Sequence, residues 1–265
     1  MASSVSETAS VDPRARIADD VFIGPFCVVG PDVSIGRGTR LSSHIWIMGS
    51  VTLGEFNDIG PFVAIGGDPQ DTSYRGTATK IEIGDHNTIH QRVTIHLASE
   101  KEDGVTRIGS HNTLLTGAHI AHDCKLGDGI TIGSNALLAG HVHIEDGAYL
   151  EEAVAVLPFV TIGGSSYVDG QSKVNQDVPP YLSVGGIPAS VLGINDRAHE
   201  PEPRDPEVDQ ALIQAYQLLF LERMPIGLAV EVLESHDQLT PEVLYLIKFV
   251  ESQREGKRGR GRDLR

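Results

Sequence analysis

At 265 residues the chain can form one large domain or two ordinary ones, with a substantial buried core. A formal charge of −15 argues against nucleic acid as a main partner and against docking to an anionic membrane surface. No apolar run approaches the ~18 residues of a membrane span, the first ten residues lack the parts of a signal peptide, and Cys27 and Cys124 make no disulfide framework, so a cytoplasmic protein is expected.

After ten small and polar residues a ladder begins. Val11, Ile17, Ile23, Val29, Ile35, Leu41, Ile47, Leu53, Ile59 and Ile65 stand six apart. The ladder resumes at Ile83, Ile89 and Ile95, shifts by one residue, and runs from Ile108 to Val174 without a break. A helix repeats every 3.6 residues and a simple strand every two, so neither explains a period of six. Stacked short strands of a parallel β-helix do. A second column two residues earlier, with Val21, Cys27, Val33, Thr39, Ile45 and Asn57 among its members, falls on the same side of each strand. Both columns therefore face inward, and both cysteines are expected to be buried and inert.

Two stretches interrupt the ladder, 66–80 and 97–107, and loops thrown out of a solenoid usually lie on its binding face. The first carries Asp71 and Ser73; His96 immediately precedes the second. Between Gly117 and Cys124 the string Gly-Ala-His-Ile-Ala-His-Asp-Cys places His119, His122 and Asp123 close together. Imidazole titrates near neutrality, and a neighbouring carboxylate favours one tautomer and the imidazolium formed during proton abstraction. His122 and Asp123 read as a general base with its orienting acid, or else as two exposed polar residues on a corner. Three hexads make one coil, so residues 18 apart stack at ~4.8 Å, which puts Gly140 over His122 with His141 beside it. A glycine there leaves room for a substrate and a bare N–H for an oxyanion, or is only a corner residue.

The ladder gives way to Gln176-Asp177-Val178-Pro179-Pro180-Tyr181 and a Gly/Pro-rich link reaching Asn195. Beyond a charged hinge the apolar period becomes helical, and three short helices are expected, one opened by Thr240-Pro241. The reading is an all-β solenoid plus α: a β-helix over 1–195, a helical domain over 196–254, and a basic, flexible tail over 255–265.

The hexapeptide β-helix, the string His-Ile-Ala-His-Asp-Cys, the later Leu-Ala-Gly-His, the exit Gln-Asp-Val-Pro-Pro-Tyr and the helical C-terminal part together resemble the bacterial acyl-[acyl-carrier-protein]–UDP-N-acetylglucosamine O-acyltransferases, over nearly the whole chain. The resemblance implies a left-handed β-helix, a homotrimer with sites between subunits, and no metal or bound cofactor. It implies transfer of a 3-hydroxyacyl group from acyl carrier protein to the sugar 3-hydroxyl, the opening step of lipid A synthesis. By position, His122 is then the base, Asp123 its partner and Gly140 the oxyanion donor. Asp71, Ser73, His96, His119 and His141 contact or position substrate, and Asn195 touches the nucleotide.

The chain departs from that pattern in places. Leu157-Pro158 stand for a His-Gln pair, Glu151 and Glu152 for a glycine-rich stretch, Ser73 for a lysine, and Pro201-Glu202 for two adjacent arginines. Arg75, Lys80, Arg197 or Arg204 are the cations available to compensate. Three alternatives remain: the same chemistry on another sugar nucleotide or amino-sugar, a non-catalytic trimeric paralogue, and a zinc-dependent hydratase like the γ-type carbonic anhydrases. The last would use His96, His119 and His122, though at a spacing foreign to that family.

Overall fold

In the computed structural model, which describes residues 3–196 and 204–263, the six-residue period becomes a three-faced parallel β-helix. Most strands are two residues long, enough for one inward and one outward side chain before the chain turns a corner. Three parallel sheets of eleven, nine and eight strands form the faces, the largest ending in an antiparallel strand pair, Leu182–Gly186 with Ala189–Ile194. That hairpin occupies what the sequence shows only as a Gly/Pro-rich link.

Strand partners stand 18 residues apart wherever the ladder is regular, as in His119 with Leu137 and His143 with Thr161. The offset grows to 30 across the first interruption (Asp58 with Thr88) and 25 across the second (Thr94 with His119). Both loops are therefore inserted at corners, and the coils that flank them stay paired, with one register irregularity between Ile65 and Gly67 where the first loop leaves its strand.

The two inward columns fuse into one core running the length of the helix, from Val21 to Val184. Burying each Val, Ile or Leu contributes roughly 1.5–3 kcal/mol, so every coil adds several such terms. One column is polar in part. Thr39, Asn57, Asn87 and Asn112 are buried, and each is satisfied along the axis. Asn57 Oδ1 accepts from the N–H of Asn87, Asn87 Oδ1 from that of Asn112, and Asn112 Oδ1 from that of Ile130. Their amides donate to Gly84, Gly109 and Gly127 carbonyls in turn. Such a ladder leaves no buried polar group unmet, which is the condition for tolerating it. Both cysteines are fully buried, and burial pushes the Cys124 thiol up to about 12.

The helical part has its own core. Helix α1 (Pro206–Tyr216) is capped by Asp205, whose side chain accepts from Glu207 N–H, and runs on through a π turn at Gln217–Leu221. Helix α2 spans Ile226–Ser235, and α3, Pro241–Glu255, is capped by Thr240. Among the described residues no helix is long and apolar enough to cross a membrane.

The tail differs from the expectation of a flexible basic end. Through Asp263 it folds back onto the β-helix. Arg260, nearly buried, donates to the Pro158 carbonyl at 2.7 Å; Gly261 N–H donates to Asp177 Oδ2 at 2.6 Å; and Asp177 N–H donates to the Gly259 carbonyl. The reason is local: a buried carboxylate and an unpaired carbonyl at the last coils offer the guanidinium and backbone donors of the tail a better partner than water. Leu264 and Arg265 lie outside the described residues.

Candidate active site

Asp123, His141 and Phe159 stack at one corner of successive coils, each with φ just above +60°, a conformation that costs a non-glycine residue on the order of 1–2 kcal/mol. The cost is met by what the corner achieves. It turns the His122 ring onto the Asp123 carboxylate, with Nδ1 2.7 Å from Oδ2. A carboxylate only accepts, so Nδ1 carries a proton, and in the neutral ring the lone pair is on Nε2. Among the described residues that Nε2 has no hydrogen-bond partner, and His122 lines a cavity of about 380 Å³ together with His119, Gln70, Leu137, Gly140 and Pro158.

Asp123 is wholly buried. Burial would raise its pKa, but the bonds from His122 and from Ser99 outweigh it and hold the carboxyl below its ordinary range. Ser99 donates twice, from its hydroxyl at 2.7 Å and its N–H at 3.0 Å, and Thr106 Oγ1 accepts the Asp123 N–H at 2.9 Å. Ser99 belongs to the second inserted loop and Thr106 to the strand Val105–Ile108 that closes it, so loop and strand together form the floor of the dyad. Sequence reasoning missed Ser99; the signal was a hydroxyl three residues after His96, in an interruption of the ladder.

Gly140 stands where stacking requires it, but the room it leaves is not for substrate. A Cβ there would lie 2.4 Å from His122 Cε1 and 2.6 Å from Nε2, so the missing side chain makes space for the His122 ring itself. Among the described residues its N–H meets no acceptor, which leaves a donor beside the His122 ring.

The histidines divide by environment. His119 receives or gives one hydrogen bond with Thr94 Oγ1 at 2.8 Å, and burial lowers its pKa, with the neighbouring His96 and His122 acting the same way. His96 donates from Nδ1 to the Asp68 carbonyl at 2.8 Å, its ring 5.1 Å from that of His119. His141 is buried, does not line the cavity, and packs behind Asp123, with Nε2 3.8 Å from Oδ2.

Asp71 and Ser73 are joined to each other, hydroxyl to carboxylate at 2.8 Å, and Asp71 is held far below the usual carboxylate range chiefly by Lys101, whose Nζ lies 2.5 Å away. Lys101 comes from the second loop, so that loop brings a cation to the place where Ser73 lacks one. The four compensating cations considered above are otherwise engaged or outside view. Arg75 donates to carbonyls of its own loop, Lys80 pairs with Glu82, Arg204 pairs with Asp209, and Arg197 lies outside the described residues, as do Pro201 and Glu202. Asn195 is not brought to His122 within the chain: it is buried, donating from Nδ2 to the Ser165 carbonyl and from N–H to that of Tyr181.

The ligand atoms of His122, Asp123 and His141 lie within 4.8 Å of one another, the one such set among the described residues. Its central contact is the 2.7 Å hydrogen bond that fixes a tautomer, and the set does not include His96 or His119, on which the hydratase alternative depends.

A hexapeptide β-helix whose corner presents a histidine–carboxylate dyad over a bare N–H defines a hexapeptide-repeat transferase. Family models agree: bacterial transferase hexapeptide repeats match residues 14–44 and 106–140, and the second domain of UDP-N-acetylglucosamine O-acyltransferase matches residues 177–260. The acyl-[acyl-carrier-protein]–UDP-N-acetylglucosamine O-acyltransferase of Thermodesulfovibrio yellowstonii is 39% identical over 254 residues, covering 96% of this chain and 98% of its own. That of Syntrophobacter fumaroxidans is 41% identical over 253 residues, covering 95% and 98%. The solved UDP-N-acetylglucosamine acyltransferase of Bacteroides fragilis superimposes with a TM-score of 0.89 at 30% identity, over 93% of this chain and 96% of that one. The enzyme from Acinetobacter baumannii gives 0.86 at 36% identity, over 92% and 95%. The chain belongs to the acyl-[acyl-carrier-protein]–UDP-N-acetylglucosamine O-acyltransferase family, and its β-helix is left-handed, as expected.

Proposed function

We propose that the chain moves a 3-hydroxyacyl group from acyl carrier protein to the 3-hydroxyl of UDP-N-acetylglucosamine, in the cytoplasm, as the first step of lipid A synthesis. The observation that carries the mechanism is the dyad: His122 with Nδ1 tied to Asp123 and Nε2 bare toward a cavity, beside the Gly140 N–H. His122 Nε2 takes the proton of the sugar hydroxyl as its oxygen attacks the thioester carbonyl, and Asp123 balances the imidazolium that forms. The Gly140 N–H receives the charge developing on the carbonyl oxygen. Collapse of that intermediate expels the carrier thiolate, which takes the proton back from His122, so no covalent enzyme intermediate is required. His119, His96, Asp71 and Ser73 surround the acceptor, and Lys101 supplies a cation toward the diphosphate.

The working unit in this reading is a homotrimer. Val28, Trp46 and Leu137 point outward from the nine-stranded face that also carries His119, and Phe26 and Phe62 stand exposed at a neighbouring corner. An apolar stripe next to a half-open cavity fits a neighbouring subunit better than solvent. Asn195 would reach the nucleotide across that contact rather than within its own chain. Acceptance of another sugar nucleotide is the second reading, favoured by Pro158 in the cavity wall in place of an amide.

Single-turnover transfer from a mixture of 3-hydroxyacyl carrier proteins to UDP-N-acetylglucosamine tests the assignment. The expected result is one product in intact protein and a loss of about 10²–10⁴-fold in rate in His122→Ala, the usual scale of general-base catalysis. No transfer from intact protein, with transfer to another UDP-sugar, would move the assignment to the second reading.

A further inference from the structure

His141 has a carboxylate of its own. Its Nδ1 lies 3.1 Å from Glu102 Oε1, and the same oxygen accepts from Arg262 Nη2 at 3.2 Å. The other arm of the guanidinium, Nη1, donates to the His141 carbonyl at 2.9 Å. One tail arginine thus grips both the backbone of His141 and the carboxylate that holds its ring. The ring itself is stacked on Phe159 at 4.5 Å and meets the His122 ring edge-on at 5.2 Å, with Nε2 facing Asp123.

The arrangement gives His141 a supporting task beside Asp123. It is buried and outside that cavity's lining, and its Nε2 lies 3.8 Å from the same Asp123 oxygen that accepts from the Ser99 hydroxyl. We propose that Glu102 and Arg262 are positioning residues for the transfer reaction, locking His141 behind Asp123 so that the C-terminal tail becomes part of the catalytic apparatus. The proposal rests on the acyltransferase reading of the His122 corner. The ionisable groups around His141 are Glu102 from the second loop, Asp123 and His122 from the coil before it, His143 from its own coil and Arg262 from the tail. Because Glu102 only accepts, His141 Nδ1 carries a proton whatever its Nε2 does. Removing either grip frees the ring to tilt, admits water to Asp123, and loosens the orientation of His122.

The test uses the full chain with Arg262→Ala, Arg262→Lys, Glu102→Gln and Glu102→Ala. In Arg262→Ala and Glu102→Gln, kcat is expected to fall about tenfold or more while KM for both substrates stays within about threefold, the pattern of an interaction lost from the transition state alone. Arg262→Lys, which keeps the charge on Glu102, recovers most of the rate. Nitrogen-15 spectra of histidine-labelled protein supply a readout that does not depend on turnover. His141 shows a protonated Nδ1 in the intact chain and a mixed tautomer in Glu102→Ala, while His122 keeps its own. Unchanged kcat in Arg262→Ala, or a His141 Nδ1 signal that survives in Glu102→Ala, overturns the proposal. An intact chain that transfers no acyl group to any UDP-sugar counts against the reaction assigned above, and the spectra still decide the role of Glu102.

Discussion

His122 and His141 each lean on a carboxylate, yet they come by it in different ways. Asp123 follows His122 directly in the chain, and a left-handed corner is enough to bring ring and carboxylate to 2.7 Å. Glu102 is 39 positions from His141, and its grip is completed by an arginine 121 positions further on. The first pair is a property of one coil; the second exists only because a loop and a tail fold back to the same corner. The difference separates what a single coil can position from what needs a loop and a tail to meet. The His122–Asp123 pair is set by the repeat, and its surroundings are set by an insertion and the tail.

The sharpest way to break the local pair is steric. Gly140→Ala would push a methyl group to within 2.4 Å of the His122 ring, so the ring must leave its position over the donor N–H. A loss of about 100-fold or more in kcat is expected, on the scale of a lost oxyanion donor, with little change in melting temperature because the site is at a corner rather than in the core. Steady-state kinetics beside a thermal melt checks it, and near-native kcat would mean the ring is not held over Gly140 during turnover.

A gentler cut is Ser99→Ala. The N–H bond to Asp123 remains and the 2.7 Å hydroxyl bond goes, which costs about 1.5–3 kcal/mol for a charge-assisted contact and should lower kcat by roughly tenfold. The same change has a pH signature. Asp123 is held below its unfolded value by His122 and Ser99, against the pull of burial. Its contribution to stability is therefore present above the ordinary carboxylate range and is lost as pH falls through the folded value. Acid unfolding should begin at higher pH in Ser99→Ala, measured by circular dichroism between about pH 2 and 5.

Lys101→Ala tests the substitute cation. It removes the partner of Asp71 and should raise KM for the UDP-sugar about three- to tenfold with kcat nearly unchanged, the mark of a uniform binding contact. An effect on kcat instead would place Lys101 with the second loop's support of Asp123.

The smallest effect concerns the tail anchor. Burial pushes the Asp177 carboxyl up to about 6, although Thr161 and Gly261 N–H groups favour its ionised form. A raised carboxyl pKa means that the folded state binds the extra proton, so this contribution is full below the unfolded value near 4 and fades as pH rises through about 6. Asp177→Asn should flatten the dependence of melting temperature on pH across that window by a few degrees at most. A wild-type slope that survives in the variant would assign it elsewhere.

Much of this molecule was legible in one dimension because a β-helix is almost one-dimensional. A strict period of six sets which residues face inward, and a multiple of three such units sets what stacks on what. His122 beneath Gly140, the buried cysteines and the inward Thr39 and Asn57 all follow from counting. The change of period near residue 206 and the cap at Thr240 follow from helical spacing and capping chemistry in the same way. What counting could not give is whatever breaks the period. The hairpin at Leu182–Ile194, the donation of Ser99 to Asp123, the pairing of Lys101 with Asp71, the displacement of Asn195 from its own chain's cavity and the tail clasp from Arg262 to His141 are contacts between segments with no fixed spacing. Neighbours along a repeat are chosen by the geometry of the coil, which the sequence carries in every hexad. Neighbours across loops and termini are chosen by which buried donors and acceptors remain to be satisfied once the coils have stacked, and only the folded chain decides that.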